Sequence, residues 1–207
     1  EQLAAVNEVS SATSAILNPT DLIDKAVDLI TQHFKYYYVA LFTPDETGKW
    51  AVLRSASGEA GRVLRESRHR LEIGGQSMVG TSMARREPRV ALDVGAESVR
   101  FDNPLLPYTR SEAALPLIAG NNVLGALDVQ STKQGAFGEQ EIETLQGMAK
   151  QLAVALENAH LYQLTNQRLQ ELQTAQRQYL KESWSLLSAN EPLEYSLGDA
   201  SGSGLTG

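Results

Sequence analysis

The sequence predicts an α+β fold in which helices at the two ends of the chain accompany an antiparallel sheet. Three observations lead to this prediction: helical periodicity at the start, strand-forming runs separated by turns in the middle, and a long helical pattern at the end. The chain has 207 residues, of which 42% are hydrophobic and 21% charged. This length and composition indicate one globular domain with an extension.

Two helices are expected at the start. Residues 1–17 have a weak amphipathic pattern with a face of small residues, and we assign them to an N-terminal helix. Asn18 and Pro19 indicate a second helix start, because Asn caps helices and Pro suits the first helical position. The apolar face that follows extends to Phe34. The folded domain is therefore placed at residues 18–160.

Strands and turns alternate after this helix. Residues 36–42 are rich in strand formers, and the turn at residues 44–48 joins them to a second strand at 49–55, which gives a hairpin. Residues 57–70 are rich in Gly, Ser and Arg and predict a surface loop. A short strand at residues 71–73 is expected to close it.

A second group of elements follows. We predict a short helix at residues 78–86, a strand at 89–93 and a long connection at 95–110, a length that is usually functional or disordered. The clearest hairpin spans residues 111–131. Pro116 lies within it and lacks a backbone N–H, which predicts an edge position or a bulge.

The end of the chain predicts one helix over residues 138–187, about 75 Å long. Its apolar stripe changes phase between His160 and Tyr162 and then continues. A domain of this size has no core that long, so residues 161–187 predict a coiled coil with a second copy. Residues 188–207 are polar, rich in Gly and Ser, and predict a flexible linker. The predicted dimer interface consists of Leu156, Ala159, Tyr162, Leu169, Leu172 and Tyr179.

Several motifs resemble a GAF domain, and they occur in the expected order. The segments at 110–117 (RSEAALPL) and 123–131 (VLGALDVQS), followed by Phe137 and the helical run 145–161, are similar to the C-terminal half of that family. The strand at residues 38–42 is similar to its central strand. The resemblance extends over roughly residues 1–165 and implies a six-stranded antiparallel sheet between terminal helices and a layer of short helices and loops.

The resemblance also implies a function. GAF domains are regulatory modules of bacterial sensor histidine kinases of two-component systems, nucleotide cyclases, phosphodiesterases and transcription activators. By this resemblance, residues 1–8 and the helix around residues 172–184 connect to upstream and downstream signalling domains, so the chain is expected to be part of a longer polypeptide. We therefore predict a cytoplasmic sensor module, alone or within a membrane-anchored protein, which forms a homodimer through its terminal helices.

The layer opposite the terminal helices is expected to enclose a pocket for an unknown small molecule. The connection at 95–110 and the helix start at Ser77 would cover it, and the polar face of the strand around Asp128 and Gln130 would form its floor. The free N–H groups of the helix start suit an anion. Alternatively, these polar groups pair with one another under an ordered loop. The candidate ligand-binding residues are Ser77, Met78, Asp93, Phe101, Asp102, Asn103, Arg110, Ser111 and Asp128.

Two other functions stay open from the sequence. A ligand-free module could use the fold only to dimerise and to space its neighbours. A cyclic-nucleotide site has a family signature of Asn-Lys, Phe and Asp-Glu, to which this chain offers Thr132-Lys133, Phe137 and Glu141-Ile142. Only part of that signature is present.

Composition argues against several classes. The absence of cysteine excludes disulfides, thiolate metal sites and covalently linked bilins. Because the free methionine sulfoxide reductases of this fold use cysteines, and no nucleophile–base pair is found, we expect no enzyme. His33, His69 and His160 lack metal-ligand spacing, so no metal, heme or other cofactor is expected.

Charge and hydropathy restrict the partners further. A net charge of −7 argues against nucleic acid. Apolar runs of about seven residues argue against a membrane-spanning helix, which needs about 20. No membrane contact is expected within these residues.

Overall fold

The computed structural model describes residues 2–94 and 103–190. Part of the predicted long connection and most of the predicted linker therefore lie outside the described residues. The elements, in chain order, are α1 (Gln2–Ser14), α2 (Pro19–Phe34), β1 (Tyr38–Pro44), β2 (Trp50–Ala56), α3 (Gly58–Glu66), β3 (Arg70–Glu72), α4 (Met78–Arg85), β4 (Arg89–Ala91), β5 (Ser111–Ala119), β6 (Asn122–Ser131) and α5 (Glu139–Asn190).

The six strands form one sheet in the order β3-β2-β1-β6-β5-β4, and every neighbouring pair is antiparallel. This architecture confirms the predicted α+β class and the six-stranded sheet. The two hairpins, β1–β2 and β5–β6, are joined where β6 pairs with β1. The first and the last strand of the chain, β1 and β6, therefore lie side by side at the centre of the sheet.

Alternating side chains along the central strands divide the core into two layers. Val39 and Leu41 of β1 and Leu127 of β6 are buried with residues of α1, α2 and α5. Tyr38 and Phe42 of β1 are buried on the opposite face, with residues of α3 and α4. Since side chains of a strand alternate between its faces, each central strand serves both layers.

The start of α2 follows the predicted capping pattern. The Asn18 side chain accepts hydrogen bonds from the backbone N–H groups of Thr20 and Asp21, at 2.9 and 3.3 Å. Pro19 occupies the first turn, where its missing N–H costs nothing. The local sequence is therefore sufficient to place this helix boundary.

The prediction of a surface loop at residues 57–70 is wrong, because Gly58–Glu66 forms the helix α3. This helix buries only Gly61 and Leu64, a face too short to give a recognisable apolar period. Arg62 pairs with Glu59 and Glu66 one turn before and after it, an arrangement that supports a helix. A Cβ at Gly61 would lie 2.5 Å from the carbonyl oxygen of Ala56, so α3 packs directly on the end of β2.

Pro116 lies at an open edge, as its missing N–H predicts. Strand β4 pairs with β5 only from Glu112 to Ala114, so Pro116 lies beyond the end of that ladder. The β5–β6 register also shifts between Leu117 and Ile118. On the β4 side, the end of the ladder leaves no demand for a backbone donor at the proline.

Helix α5 agrees with the predicted single helix to within three residues at either end. The chain divides into two compact units, residues 1–164 and 165–207. In the first unit, Leu145, Leu152 and Leu156 of α5 are buried in the layer shared with α1 and α2. Among the helices that the structure describes, none combines the length and the hydropathy that a membrane crossing requires.

Replacing Gly125 with alanine is expected to lower the free energy of unfolding by about 1–3 kcal/mol, because β6 approaches β1 closely there. A Cβ at Gly125 would lie 2.2 Å from the carbonyl oxygen of Phe42, a backbone atom of the central strand. Urea denaturation of the full chain measures the effect.

The matched control is Gly147→Ala. Nothing lies within 4 Å of a Cβ at Gly147, which is in the interior of α5. Since alanine favours the helix, this variant is expected to gain about 0.5–1 kcal/mol. Equal stability of the two variants would contradict the close approach of the strands.

Candidate functional site

A small cavity lies on the sheet face that α3 and α4 cover. Its floor comes from alternate positions of the three strands at the centre of the sheet, as strand register dictates. Asp128 of β6 pairs with Ala40 of β1 and with Ala114 of β5. The alanines leave space around the carboxylate because their side chains end at Cβ. The adjoining row of the ladder consists of Tyr38 of β1, Gln130 of β6 and Glu112 of β5.

Asp128 is the central polar group of this floor, and only 3% of its surface is exposed. Its Oδ2 accepts a hydrogen bond of 2.9 Å from Nε2 of Gln130. Gln130 is held in turn by Thr109, whose hydroxyl donates to Oε1 at 2.7 Å. No N–H or hydroxyl group of the described residues donates to Oδ1 of Asp128, which is buried, but the carboxyl groups of Asp128 and Glu112 are in hydrogen-bond contact. A carboxylate oxygen in this position is costly unless something donates to it.

Burial determines the protonation of this carboxyl group. It raises the pKa of Asp128 from its ordinary 3.8 to about 6, and the hydrogen bonds with Gln130 and with Glu112 oppose part of the rise. The site therefore gains or loses a proton close to neutral pH. It could act as a hydrogen-bond donor when protonated or as a buried anion when ionised.

Aromatic and apolar side chains form much of the wall. The ring of His69 meets that of Phe42 edge to face, with centroids 6.3 Å apart. Burial lowers the pKa of His69 and so favours its neutral form. Burial, followed by the charges of Asp128 and Glu112, raises the pKa of the Tyr38 phenol, which stays protonated at neutral pH.

The cavity has a volume of about 30 Å³. This volume is enough for one or two water molecules, whereas pockets for drug-sized ligands measure about 300–1,000 Å³. The lining consists of Tyr38, Phe42, His69, Leu71, Ser77, Val79, Asn103, Leu106, Glu112, Asp128 and Gln130.

Helix α4 is held against the cavity by its first turn. Oγ of Ser77 accepts a hydrogen bond of 2.9 Å from the N–H of Gly80, so Ser77 caps its own helix. A Cβ at Gly80 would lie 2.1 Å from the carbonyl oxygen of Glu72. Only glycine permits this close approach. The anion site predicted at this helix start thus has one of its N–H groups occupied by the cap.

The structure brings three of the predicted ligand-binding residues together. Ser77, Asn103 and Asp128 line the cavity. Met78 is buried in the core layer beside it. Phe101 and Asp102 lie outside the described residues.

The other three predicted residues are engaged elsewhere. Asp93 accepts a hydrogen bond of 2.9 Å from Gln134 and lies 3.8 Å from the guanidinium of Arg110. Ser111 is fully buried, and its hydroxyl donates to the carbonyl oxygen of Lys133 at 2.7 Å. These contacts hold the segments around β5 together, and none of these residues belongs to the cavity lining.

Sequence reasoning missed several lining residues, above all Tyr38, His69 and Glu112. Tyr38 and Glu112 lie two strands apart, and their common face depends on register, which no local pattern reveals. The alternation along β6 was informative because Asp128 lies between apolar neighbours. A matching signal in β5 was the charged Glu112 in an otherwise apolar strand.

The predicted dimer residues fall into two groups. Leu156 and Ala159 are buried in the core of this same chain, so their apolar surface is already covered and the interface prediction is revised for them. Tyr162, Leu169 and Leu172 are 48%, 50% and 68% exposed. Tyr179 is exposed as well.

Known proteins resemble the chain in sequence pattern and in fold. The model of a GAF domain family matches residues 17–157. Among solved structures, the GAF domain of a phosphoenolpyruvate-protein phosphotransferase from Coxiella burnetii is similar, with 20% identity and a TM-score of 0.69, over 77% of this chain and 95% of that one. No curated protein matches the chain.

Enzymes also occur among the similar structures. A free methionine-R-sulfoxide reductase from Neisseria meningitidis, in complex with its substrate, has 19% identity and a TM-score of 0.68, over 77% of this chain and 90% of that one. A reductase of this kind from Staphylococcus aureus has 16% identity and a TM-score of 0.64, over 75% of this chain and 95% of that one. The prediction that the chain is not an enzyme is thereby contradicted, because this fold serves catalysts as well as regulators.

Proposed function

Since this chain belongs to the GAF domain family, whose members are sensor and regulatory modules, we propose that it senses a small molecule in the cavity at Asp128. In this proposal it is a cytoplasmic part of a larger bacterial signalling protein with further domains on either side. The observation that carries the proposal is the buried carboxyl group of Asp128, whose Oδ1 accepts no hydrogen bond from an N–H or hydroxyl group of the described residues. A donor from a ligand would satisfy it.

The fold supports a route from the cavity to the terminal helices. Strand β6 carries Asp128 on the cavity face and Leu127 and Val129 on the opposite face. Those two residues share a core layer with Leu145 and Leu152 of α5. A ligand that moves β6 would therefore change the packing of α5. In this proposal, α5 passes the change to the output domain.

The relay also requires a partner copy, for which exposed apolar side chains of α5 are the support. Beyond the phase change near Tyr162, an unpartnered helix would expose Leu169, Leu172 and Tyr179 to water. A parallel coiled coil would bury them against the same residues of the second copy. Thr165 and Gln176 lie in the same stripe, and because they are polar they would weaken the coiled coil. A weak interface of this kind allows the helix pair to change between two packing states.

Two grooves on the terminal-helix face offer further surface to the partner. One, of about 560 Å³, lies between α1 and α5, and small residues such as Ser10 and Ser14 line it. The other, of about 520 Å³, lies between β5 and α5. They share Lys150 and Val154, and Val154 is 54% exposed.

Thermal denaturation of the full chain against a panel of small cationic, neutral and anionic metabolites tests the sensor function. At a hundredfold excess over its Kd, a true ligand adds about 2.7 kcal/mol and should raise the Tm by about 5 °C or more. Asp128→Asn should remove the shift. Asp28→Asn, an equal charge change at an exposed position of α2, should retain it.

A ligand-free spacer is the second candidate, and the small volume of the cavity favours it. If no compound in the panel changes the Tm through Asp128, the sensor proposal fails and the spacer remains. Cyclic nucleotides belong in the panel as well. The two carboxyl groups of the cavity, Asp128 and Glu112, would repel their phosphate.

A further inference from the structure

Two acidic side chains meet across neighbouring strands of the sheet. Glu112 of β5 pairs with Gln130 of β6, and Asp128 precedes Gln130 by two residues on the same face of β6. Diagonal neighbours of this kind lie within reach of each other when one side chain is long, as that of glutamate is. The carboxyl groups of Asp128 and Glu112 are accordingly in hydrogen-bond contact.

This contact requires a proton. An ionised carboxylate only accepts hydrogen bonds, so two carboxyl groups bond to each other only while one of them is protonated. With both groups ionised, two negative charges would lie within hydrogen-bond distance beside the buried Asp128 and repel each other strongly. The arrangement of the pair therefore corresponds to the state that holds one proton.

The other titratable groups of the cavity lining stay neutral near neutral pH. From β1, Tyr38 lies in the row of Glu112, and burial, followed by the charges of the two carboxyl groups, raises the pKa of its phenol. His69, which precedes β3, has a pKa that burial lowers. The lining residues that α4 and its cap, β3 and the segment after the long connection contribute are not ionisable: Ser77, Val79, Leu71, Asn103 and Leu106.

Arg89 of β4 is the described cation that shares the row of Asp128. It pairs with Ala114 of β5, which pairs in turn with Asp128, so Ala114 lies between the two charged residues. Arg89 does not belong to the cavity lining, and the lining residues that the structure describes include no Lys or Arg. No cation of that lining would neutralise the pair after it has lost its proton.

The two carboxyl groups differ in how firmly they are held. Oδ2 of Asp128 accepts a hydrogen bond of 2.9 Å from Gln130, and Thr109 holds Gln130 in turn. Glu112 is only partly buried and has the longer side chain, whereas Asp128 is buried. Repulsion between two ionised groups is therefore relieved most easily when Glu112 turns toward solvent.

We propose that the proton shared by Asp128 and Glu112 makes the pair a pH switch, in which loss of this proton to water turns Glu112 away and opens the cavity to solvent. Asp128 keeps its hydrogen bond with Gln130 in both states. Uptake of a proton as the pH falls restores the contact. This inference goes beyond the proposed small-molecule function, because the proton itself is the input and no ligand is needed.

The test is an NMR titration of the full chain, with ¹³C-labelled Asp and Glu carboxyl groups, from about pH 4 to about pH 9. Since strongly interacting groups titrate as a pair, the carboxyl signals of Asp128 and Glu112 should follow the same two steps. In Glu112→Gln, Asp128 should titrate in one step, at a pH lower by about one unit or more than the upper step of the pair.

Matched controls separate the pair from a general change of charge. Asp128→Asn should leave one step at Glu112. Asp28→Asn and Glu46→Gln make the same chemical changes at exposed positions and should leave both steps in place.

A second measurement follows the movement of Glu112. Above the upper step, the side-chain amide protons of Gln130 should exchange with water about tenfold faster in the unsubstituted chain than in Glu112→Gln at the same pH, because the variant has no second charge to drive the opening. Below the lower step, the two rates should be nearly equal.

Two results would overturn the inference. Separate single steps for the two carboxyl groups, or an Asp128 titration that Glu112→Gln leaves unchanged, would show that they share no proton. Common steps with equal exchange of the Gln130 amide in both chains would show a shared proton without movement, and the pair would then be no switch.

Discussion

Replacing both Leu169 and Leu172 with aspartate is expected to convert the proposed dimer into a monomer without unfolding the domain. Both side chains lie in the unit formed by residues 165–207, and neither belongs to the core layers of the sheet. Burial of each leucine at an interface is worth about 1.5–3 kcal/mol, and paired aspartates would add repulsion. Light scattering should give half the mass of the unsubstituted chain.

The matched control is a double change to aspartate at Gln167 and Gln170. These residues are exposed on the same helix and lie outside the apolar stripe, so they add the same charge without removing apolar contacts. The control should stay dimeric. The Tm of the domain should be nearly equal in both double variants. A leucine variant that keeps the dimer mass, or a chain that is monomeric before substitution, would contradict the coiled-coil proposal.

Replacing Asp128 with asparagine is expected to raise the free energy of unfolding at pH 7.5 by as much as about 3 kcal/mol. Burial raises the pKa of this carboxyl from 3.8 to about 6, so the folded state binds a proton more strongly than the unfolded state. The group therefore stabilises the fold below about pH 4, and this contribution is lost as the pH rises through about 6. Asparagine has the same shape and no charge to bury.

Urea denaturation at pH 4 and pH 7.5 measures this effect as a difference between the variant and the unsubstituted chain. The difference reports Asp128 together with Glu112, because the two carboxyl groups are in hydrogen-bond contact in the same cavity. His69 acts in the opposite direction, since its lowered pKa makes it stabilise the fold as the pH rises. The gain should appear at pH 7.5 and nearly vanish at pH 4. A loss of stability at pH 7.5 would argue that Asp128 is needed for packing rather than for binding.

The sequence was most informative where a pattern is local. The Asn18-Pro19 cap, the hairpin at residues 111–131 and the long C-terminal helix each depend on residues within a few turns of one another. For such elements, capping groups, turn residues and apolar period act over the same range as the structure itself. Helix α3 was missed because it buries only two residues, and its Gly, Ser and Arg content predicted a surface loop.

The candidate site was partly predictable for the same reason. Asp128 was evident as a polar residue between apolar neighbours on a strand, and Ser77 as the start of a helix. Asp93, Arg110 and Ser111 have the chemistry of ligand-binding residues, yet they form contacts with Gln134, with one another and with Lys133. Polar residue type alone does not distinguish a binding group from one that joins two loops.

By itself, the sequence determined the order of the elements apart from α3, the class of the fold and its family, because alternation, capping and turn chemistry act between residues that are close in the chain. Only the tertiary structure decided which polar groups share the cavity. Tyr38, Glu112 and Asp128 come together through the pairing of β1, β6 and β5, and a shift of one residue in either register would turn an entire strand face away. Burial in that arrangement then raises the pKa of the Asp128 carboxyl group, which is in hydrogen-bond contact with the side chains of Gln130 and Glu112.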